Sequence, residues 1–537
     1  MFFKTMKKIK DPIYAYIEIE DNYVPIIDSV YFQRLRNIIQ TSYTSIYPSS
    51  LHNRFTHSIG VYNLGKIGFE NLINNSEDLV KNLPKKELDE IRHVFLFACL
   101  CHDLGHSPFS HTGEKFYDRE ELSRKLEEEI NNKEYSKDLK AEGGIVGKEH
   151  EIMSSVLAIK VFSDFLPEKY FDFFSRCIIG LQYKSEKNIS ISIKLKRACI
   201  ELLNSDIIDV DKLDYLIRDS YMSGYYSVSI DYQRLLAGIS INPANTYPIC
   251  YRKSALSVLE SVLTAHDMER RWVQAHPIVL YEAYLLQTII RELNTKYKLT
   301  KNIPLLSLQA LSPEGVEMDQ LGTVRLLSDA DILFLAKQSF NNSSAVKEYF
   351  CRDLRRHPIW KSEAEYMLLF DFNKNKKFID ILQQWEDILS NGEYGVYSLN
   401  EEFYGKLKKK AEDLANKKAE LSTSQNATLL NRISKINDEL TLLDEIRAYF
   451  TSKNLPFDLV IISLKKFKSN IYKEAFKKLP ILFNGYDKEP VEMQEVTHIP
   501  LDTAENKNFF YLYYQRKDNE ALDILDFSKM LKRAAII

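Results

Sequence analysis

The run Ile91–Leu104 (IRHVFLFACLCHDL) is apolar on nearly every side of a helix. Such a helix must be covered by other elements, so the chain has to fold around it. Gly105 and Pro108 close the run, as a helix stop requires. Further long helices are expected over Ile193–Ser223, ended by Gly224, and over Arg270–Leu293. From about Tyr31 to about Leu389 the periodicity is mainly helical. Gly and Pro are scarce, at 17 and 16 in 537 residues, which leaves little room for long linkers. That length exceeds one ordinary core. The expected fold class is mainly α, a helical bundle with a helical extension and a small C-terminal α+β unit.

The expected domains are 1–395, the main helical domain with a short N-terminal strand or hairpin; 396–450, a helical hairpin; and 451–537, a small α+β unit. In the second, Leu407, Leu414 and Leu421 recur every seven residues, and Ile433, Ile436, Leu440 and Leu443 follow a 3-4-3 spacing. Polar Ser422–Asn426 separates the two runs, so they read as antiparallel helices. The runs LVIISL (459–464) and FFYLYY (509–514) read as strands.

The formal net charge of -3 argues against a whole-protein electrostatic grip on nucleic acid. The six cysteines form no CxxC pair, and Cys99 and Cys101 sit in the apolar run, which is cytosolic usage. Met1–Lys10 lacks the apolar core of a signal peptide. No apolar stretch reaches membrane-spanning length. A cytoplasmic protein with no membrane partner is expected.

Seven of the eleven histidines fall between His52 and His150. Three segments carry the chemistry: HNRFTHSIGV (52–61), CHDLGHSPFSHTGE (101–114) and IIDVDKLDYLIRDSYMSG (207–224). A carboxylate at the end of a buried helix needs a partner. Asp103, preceded by His102, is such a group, and both can reach one ion beside the helix end. With His57 from one helix and Asp211 from another, two imidazoles and two carboxylates make a mixed N/O site. It suits one divalent Mn, Fe, Zn, Ni or Mg ion per subunit. An isolated His–Asp pair is usually a cap or a surface pair, and the lone His93 reads as a core histidine. The three segments together are another matter.

With QRLRNIIQ (33–40), KEHE (148–151) and DVDKLDYLIRDS (209–220), these segments resemble the HD-domain deoxynucleoside triphosphate triphosphohydrolases. That family includes bacterial dGTPases and the SAM- and HD-domain dNTPase of animals. The resemblance runs from about Tyr31 to Lys361 and implies an HD-domain helical bundle; no SAM domain is read upstream of it. It places the metal on His57, His102, Asp103 and Asp211, choosing Asp211 over Asp209. Helix geometry agrees, because Asp211, Tyr215 and Asp219 form one i, i+4, i+8 stripe with Lys212 beside it.

The resemblance implies metal-dependent hydrolysis at the α-phosphorus, yielding a deoxynucleoside and inorganic triphosphate. Metal binding makes water a nucleophile, and additional Mg can accompany the triphosphate. Arg54 and Lys212, with Arg270 or Arg271, are the phosphate candidates. His106 is expected to face the α-phosphate unless Gly105 has already broken the helix. His111 is the candidate general acid for the basic 5′-oxygen, and the family arrangement gives Glu114 and His150 the role of orienting it. The family's sugar contacts match Gln40, Tyr215 and Asp219. The loop TSYTSIYPSS after Gln40 departs from the Gly-rich stretch common in relatives. His276, after Arg270-Arg271-Trp272, is a further candidate with less secure spacing. The resemblance further implies a homo-oligomer and allows an allosteric nucleotide. Two other readings stand beside it: an HD phosphohydrolase acting on nucleoside monophosphates, cyclic nucleotides or nucleic-acid ends, and a non-catalytic nucleotide sensor or nucleic-acid-binding protein.

Overall fold

The computed structural model describes residues 6–41, 44–184, 189–225, 229–243, 247–297, 305–318, 322–362, 365–366, 376–391, 396–418, 426–464, 474–482, 490–497, 509–517 and 521–533. These are mainly helical and divide into two compact units. The first comprises Met1–Gln274, Glu282–Asn342 and Lys468–Thr503, and the second Ala275–Tyr281, Ser343–Phe467 and Ala504–Ile537.

The first unit opens with an antiparallel hairpin, β1 (Lys7–Asp11) and β2 (Ala15–Ile19), paired from Lys7↔Ile19 to Asp11↔Ala15. Helix α1 (Arg54–Asn74) starts where the Asn53 side chain accepts the Thr56 amide, and it is buried on most sides as far as Leu72. An N-cap of this kind satisfies a donor that the first turn leaves open. Helix α2 (Lys85–Cys101) is the buried strut, with Val94 through Cys101 wholly inaccessible. It ends at Cys101, ahead of Gly105. A Cβ on Gly105 would sit 2.4 Å from the Ser154 backbone nitrogen. Only glycine lets the loop after α2 lie this close to the helix that holds His150.

That loop leads into a single turn, α3 (His111–Glu114). Helix α4 (Glu149–Val161) crosses the loop, and α5 (Val210–Ser223) packs on α1. Later, α6 (Asp329–Lys337) follows a capping box at Ser328 and Asp331.

Two expected long helices are broken. Ile193–Ser223 is instead Ile191–Leu203 followed by α5. The Asp209 side chain accepts the Lys212 amide at 2.6 Å and the Ser205 amide at 2.9 Å, so it starts a new helix where the periodicity suggested continuity. Arg270–Leu293 is a wide π-type turn over Glu269–Gln274, then a helix over Pro277–Lys296. Pro277 lacks the amide to continue a helix, and it disfavours helical geometry in the residue before it.

The strand Pro480–Leu482 joins the first unit's sheet, running parallel to Ile249–Arg252 with Tyr251 opposite Ile481. The expected boundaries at 395 and 450 fall inside the second unit, and Lys468–Thr503 groups with the first. Strand pairing between such distant segments leaves no local mark in sequence.

The second unit has a three-stranded sheet with Phe509–Tyr514 between His357–Pro358 and Val460–Leu464. Its helices Glu401–Lys418 and Asn426–Ser452 pack antiparallel, with Arg447 Nε 2.7 Å from Glu401 Oε1. Leu421 and residues 422–425 of the expected turn lie outside the described residues. Among the described residues, no helix is long and apolar enough to cross a membrane.

Candidate functional site

The end of α2, the first turns of α1 and the start of α5 converge in the first unit. His57 Nε2 lies 3.0 Å from Asp211 Oδ1, 3.6 Å from Asp103 Oδ2 and 3.2 Å from His102 Nε2. His102 Nε2 is in turn 3.5 Å from Asp103 Oδ1 and 3.7 Å from Asp211 Oδ1. The structure thus brings together His57, His102, Asp103 and Asp211 from three separate segments.

The tautomers follow from the far side of each ring. His57 Nδ1 donates to Asp214 Oδ2 at 2.8 Å, and His102 Nδ1 donates to the Cys99 carbonyl at 2.9 Å. Both partners can only accept, so in neutral rings the two Nε2 lone pairs face each other. Lone pairs this close need a cation between them, either a proton or a metal ion. Burial depresses the His57 ring, but the hydrogen bonds it donates to Asp211 and Asp214 outweigh this and raise its pKa to about 10. Burial would raise Asp211, but His102 and His57 hold it well below the usual carboxylate range. The donor set, two imidazole nitrogens and two carboxylates, fits a divalent ion of borderline or hard character.

Sequence reasoning missed the layer behind these residues. Asp214 accepts from Tyr14 Oη at 2.8 Å and from Arg218 Nε and Nη2 at 2.9 and 3.0 Å. Arg218 Nη1 also donates to Asp11 Oδ2 at 2.8 Å, so the tip of the β1–β2 hairpin is tied to the site. A Cβ on Gly60 would meet Asp214 Oδ1 at 2.0 Å. The signal was present: Asp214 and Arg218 are an i, i+4 pair on the inward face of α5, and Gly60 is one turn beyond His57.

Asp103 joins this centre to a second cluster. Its Oδ1 lies 3.4 Å from His106 Nε2. Glu114 Oε1 lies 2.9 Å from His106 Nδ1 and 3.1 Å from His111 Nδ1, and its Oε2 lies 3.0 Å from His150 Nδ1. The His106 and His150 rings stack with centroids 4.1 Å apart. Burial and the nearby Arg54 and His150 push His106 well below the usual histidine range, so it is neutral. Burial opposes ionisation of Glu114, but His150, His111 and His106 outweigh it and hold the carboxyl low. His111 has a side chain 61% exposed, so it is the cluster's open face. Helix α2 ends before Gly105, and His106 turns inward with no exposed surface.

Arg54 is buried, with Nη1 2.7 Å from Asp103 Oδ2, Nε 3.0 Å from Ser110 Oγ and Nη2 3.2 Å from the Gln40 carbonyl. Lys212 Nζ is held at 2.5 Å by Asp209 Oδ2 and at 2.6 Å by the Ser205 carbonyl. Asp209 caps its own helix, while Asp211 faces the histidines. The α5 stripe continues through half-buried Tyr215 to Asp219, whose Oδ1 is 2.6 Å from His52 Nε2. His52 therefore enters the site's surroundings beside Gln40, whose amide donates to the His52 carbonyl at 2.9 Å. The Gln40 side-chain oxygen is buried with no hydrogen-bond partner, as suits a group waiting for a ligand. Burial and Asp219 push Glu269 well above the usual range, so a neutral acid stands beside Asp219. Arg270 and Arg271 lie in the wide turn that carries Glu269. His276 falls in the second unit, where its Nδ1 accepts the Ile278 amide at 3.2 Å.

Residues 54–215 match the family model described as "HD domain". The chain is 33% identical over 240 residues to the "Deoxynucleoside triphosphate triphosphohydrolase SAMHD1 homolog" of Dictyostelium discoideum, covering 43% of this chain and 39% of that protein. It is 30% identical over 284 residues to deoxynucleoside triphosphate triphosphohydrolase SAMHD1 of Homo sapiens, covering 50% of this chain and 42% of that one. The chain spans less than two thirds of the length of these curated relatives. A solved phosphohydrolase from Bacteroides thetaiotaomicron has a TM-score of 0.56 at 19% identity, covering 95% of this chain and 100% of that one. That likeness is one of fold.

Proposed function

We propose that this HD-domain chain is a metal-dependent phosphohydrolase that splits deoxynucleoside triphosphates into deoxynucleoside and inorganic triphosphate. The observation that carries the reading is the pair of His57 and His102 Nε2 atoms, 3.2 Å apart, with both Nδ1 atoms already committed to acceptors. His57, His102, Asp103 and Asp211 would hold one divalent cation. When bound, that cation supplies Lewis acidity for water activation and positive charge for a phosphate oxygen.

The chain's own groups do the rest. Arg54 adds a fixed charge beside Asp103, and Lys212 adds a movable one once its ammonium leaves Asp209 for phosphate. His111, exposed and hydrogen-bonded to Glu114 at 3.2 Å, donates a proton to the leaving 5′-oxygen. His150 and His106 fix Glu114 from the other side. Gln40, Tyr215 and Asp219 take the sugar, and a tyrosine packed against C2′ would exclude a ribose hydroxyl. The likeness to deoxynucleoside triphosphate triphosphohydrolases of the SAMHD1 type supports this substrate class.

The test is incubation of the purified protein with each dNTP and rNTP and Mn or Mg, singly and in mixtures, with product identification. Deoxynucleoside and intact triphosphate are expected, and chelator should abolish them. Orthophosphate as the first product would overturn the reaction. Light scattering with and without dNTP tests the homo-oligomer that we also propose.

A further inference from the structure

The QRLRNIIQ segment and the loop between His102 and His111 are joined by contacts that the roles above leave unused. Arg34 is buried and donates to three carbonyls: Leu327 at 2.9 Å, Leu104 at 3.1 Å and His106 at 2.7 Å. Asp329, the first residue of α6, meets the same loop as an acceptor. Its Oδ1 accepts the Phe109 amide at 2.7 Å, and its Oδ2 accepts the Ile39 amide at 2.9 Å. Ser110 Oγ closes the ring by donating to the Ile39 carbonyl at 2.6 Å.

Between these anchors the backbone is strained. Phe109 and Ser110 have φ of 58° and 53°, a region that residues with side chains leave unless their surroundings over-determine it. These two residues lead directly into His111, and Ile39 directly precedes Gln40. Burial raises Asp329 to about 6, with the two amides pulling the other way. It is therefore ionised at neutral pH and can accept from both.

We propose that Asp329 is a positioning residue for the reaction: one carboxylate ties the strained Phe109–Ser110 turn that carries His111 to the Ile39 amide beside Gln40. The proton-donating and sugar-binding ends of the site then share one register. Arg34 holds the same loop through its carbonyls, so the loop is gripped by an acceptor and a donor together. This rests on the reading of His111 and Gln40 given above. Among the contacts in the structure, Asp329 reaches none of the four proposed metal ligands, which separates its effect from theirs.

The experiment compares Asp329→Ala and Asp329→Asn with wild type in the full chain. It measures kcat and KM for triphosphate release, Mn affinity by titration, and hydrogen exchange at the Ile39 and Phe109 amides. We expect Asp329→Ala to lose about a hundredfold in kcat, the scale of an ångström-sized misplacement. Asp329→Asn keeps one acceptor oxygen and should recover part of that loss. Both should bind Mn as wild type does, and both amides should exchange faster in Asp329→Ala. A kcat for Asp329→Ala within about threefold of wild type would overturn the proposal. So would loss of Mn binding in step with activity, which marks a residue that merely holds the fold. If wild type releases no triphosphate from any dNTP, the substrate reading fails by itself. The tether is then judged on amide exchange, and unchanged exchange in Asp329→Ala overturns it.

Discussion

Replacing Asp214 with Asn tests whether the layer behind the histidines tunes the metal. The change keeps the shape and one acceptor for the His57 Nδ1–H, but it removes the charge 2.8 Å from that ring. Carboxylates in this position raise the basicity of a ligating imidazole, and losing one costs about ten- to a hundredfold in metal affinity. That is about 1.4–2.7 kcal/mol. A second cost falls on the fold. Arg218 is buried and would keep only Asp11 as a full counter-charge. Breaking a buried pair costs about 3–5 kcal/mol when the remaining charge is left alone. The surviving contact to Asp11 should hold the loss toward the lower end. Calorimetric titration with Mn and a thermal melt of the metal-free protein read the two costs separately. Asp214→Asn binding Mn as tightly as wild type would refute the argument that His57 ligates with its Nδ1–H committed to a carboxylate.

Three further outcomes follow from the same geometry. Gly60→Ala puts a methyl where the Asp214 carboxylate stands, so it should lower stability by about 1–3 kcal/mol and weaken Mn binding; a melt and a titration check both. His57 is raised to about 10 in the metal-free protein, so its stabilising protonation is complete below about pH 6.5 and is lost as pH rises through 10. A cation must displace that proton, so Mn affinity should climb with pH by about tenfold per unit across this window; titrations in buffers of different ionisation enthalpy should show about one proton released at pH 7, and none released would count against it. His111→Ala should melt within about 0.5 kcal/mol of wild type because its side chain is exposed, yet lose about 10²–10⁴-fold in kcat; unchanged turnover would remove His111 from the mechanism.

What the sequence displayed, and what it hid, divides along physical lines. The buried strut was plain in Ile91–Leu104 because a helix apolar all round has one environment available. His57, His102, Asp103 and Asp211 could be singled out because each sits in a short polar motif against an apolar background. The breaks at 204–209 and at Ala275–His276 were less visible. The first depends on one carboxylate, Asp209, choosing to cap its own helix. The second depends on Pro277 acting on residues that otherwise keep helical spacing. The grouping of Lys468–Thr503 with the first unit rests on strand pairing, which sequence periodicity does not encode. Asp329 was invisible for a related reason: its partners are two backbone amides, and any residue could supply those.

Asp214 was overlooked because it lies off the Asp211, Tyr215 and Asp219 stripe, and an acidic side chain on a helix is usually solvated. The charge balance shows why it is buried instead. Behind the candidate centre, two inward carboxylates each meet a guanidinium: Asp103 has Arg54 at 2.7 Å, and Asp214 has Arg218, shared with Asp11, at 2.9 Å. Asp209, one turn away, has Lys212 at 2.5 Å. Among the described residues Asp211 forms no direct ion pair with a lysine or arginine; it faces the two Nε2 atoms, with the Lys148 charge acting from farther off. The three acid–base pairs cancel locally and can be buried at tolerable cost. In the metal-free protein the remaining carboxylate, Asp211, is balanced by the protonated His57 ring 3.0 Å away. A divalent cation that displaces that proton would exchange one positive charge for two, so the pairing pattern predicts that a polyphosphate is held more tightly when metal is bound.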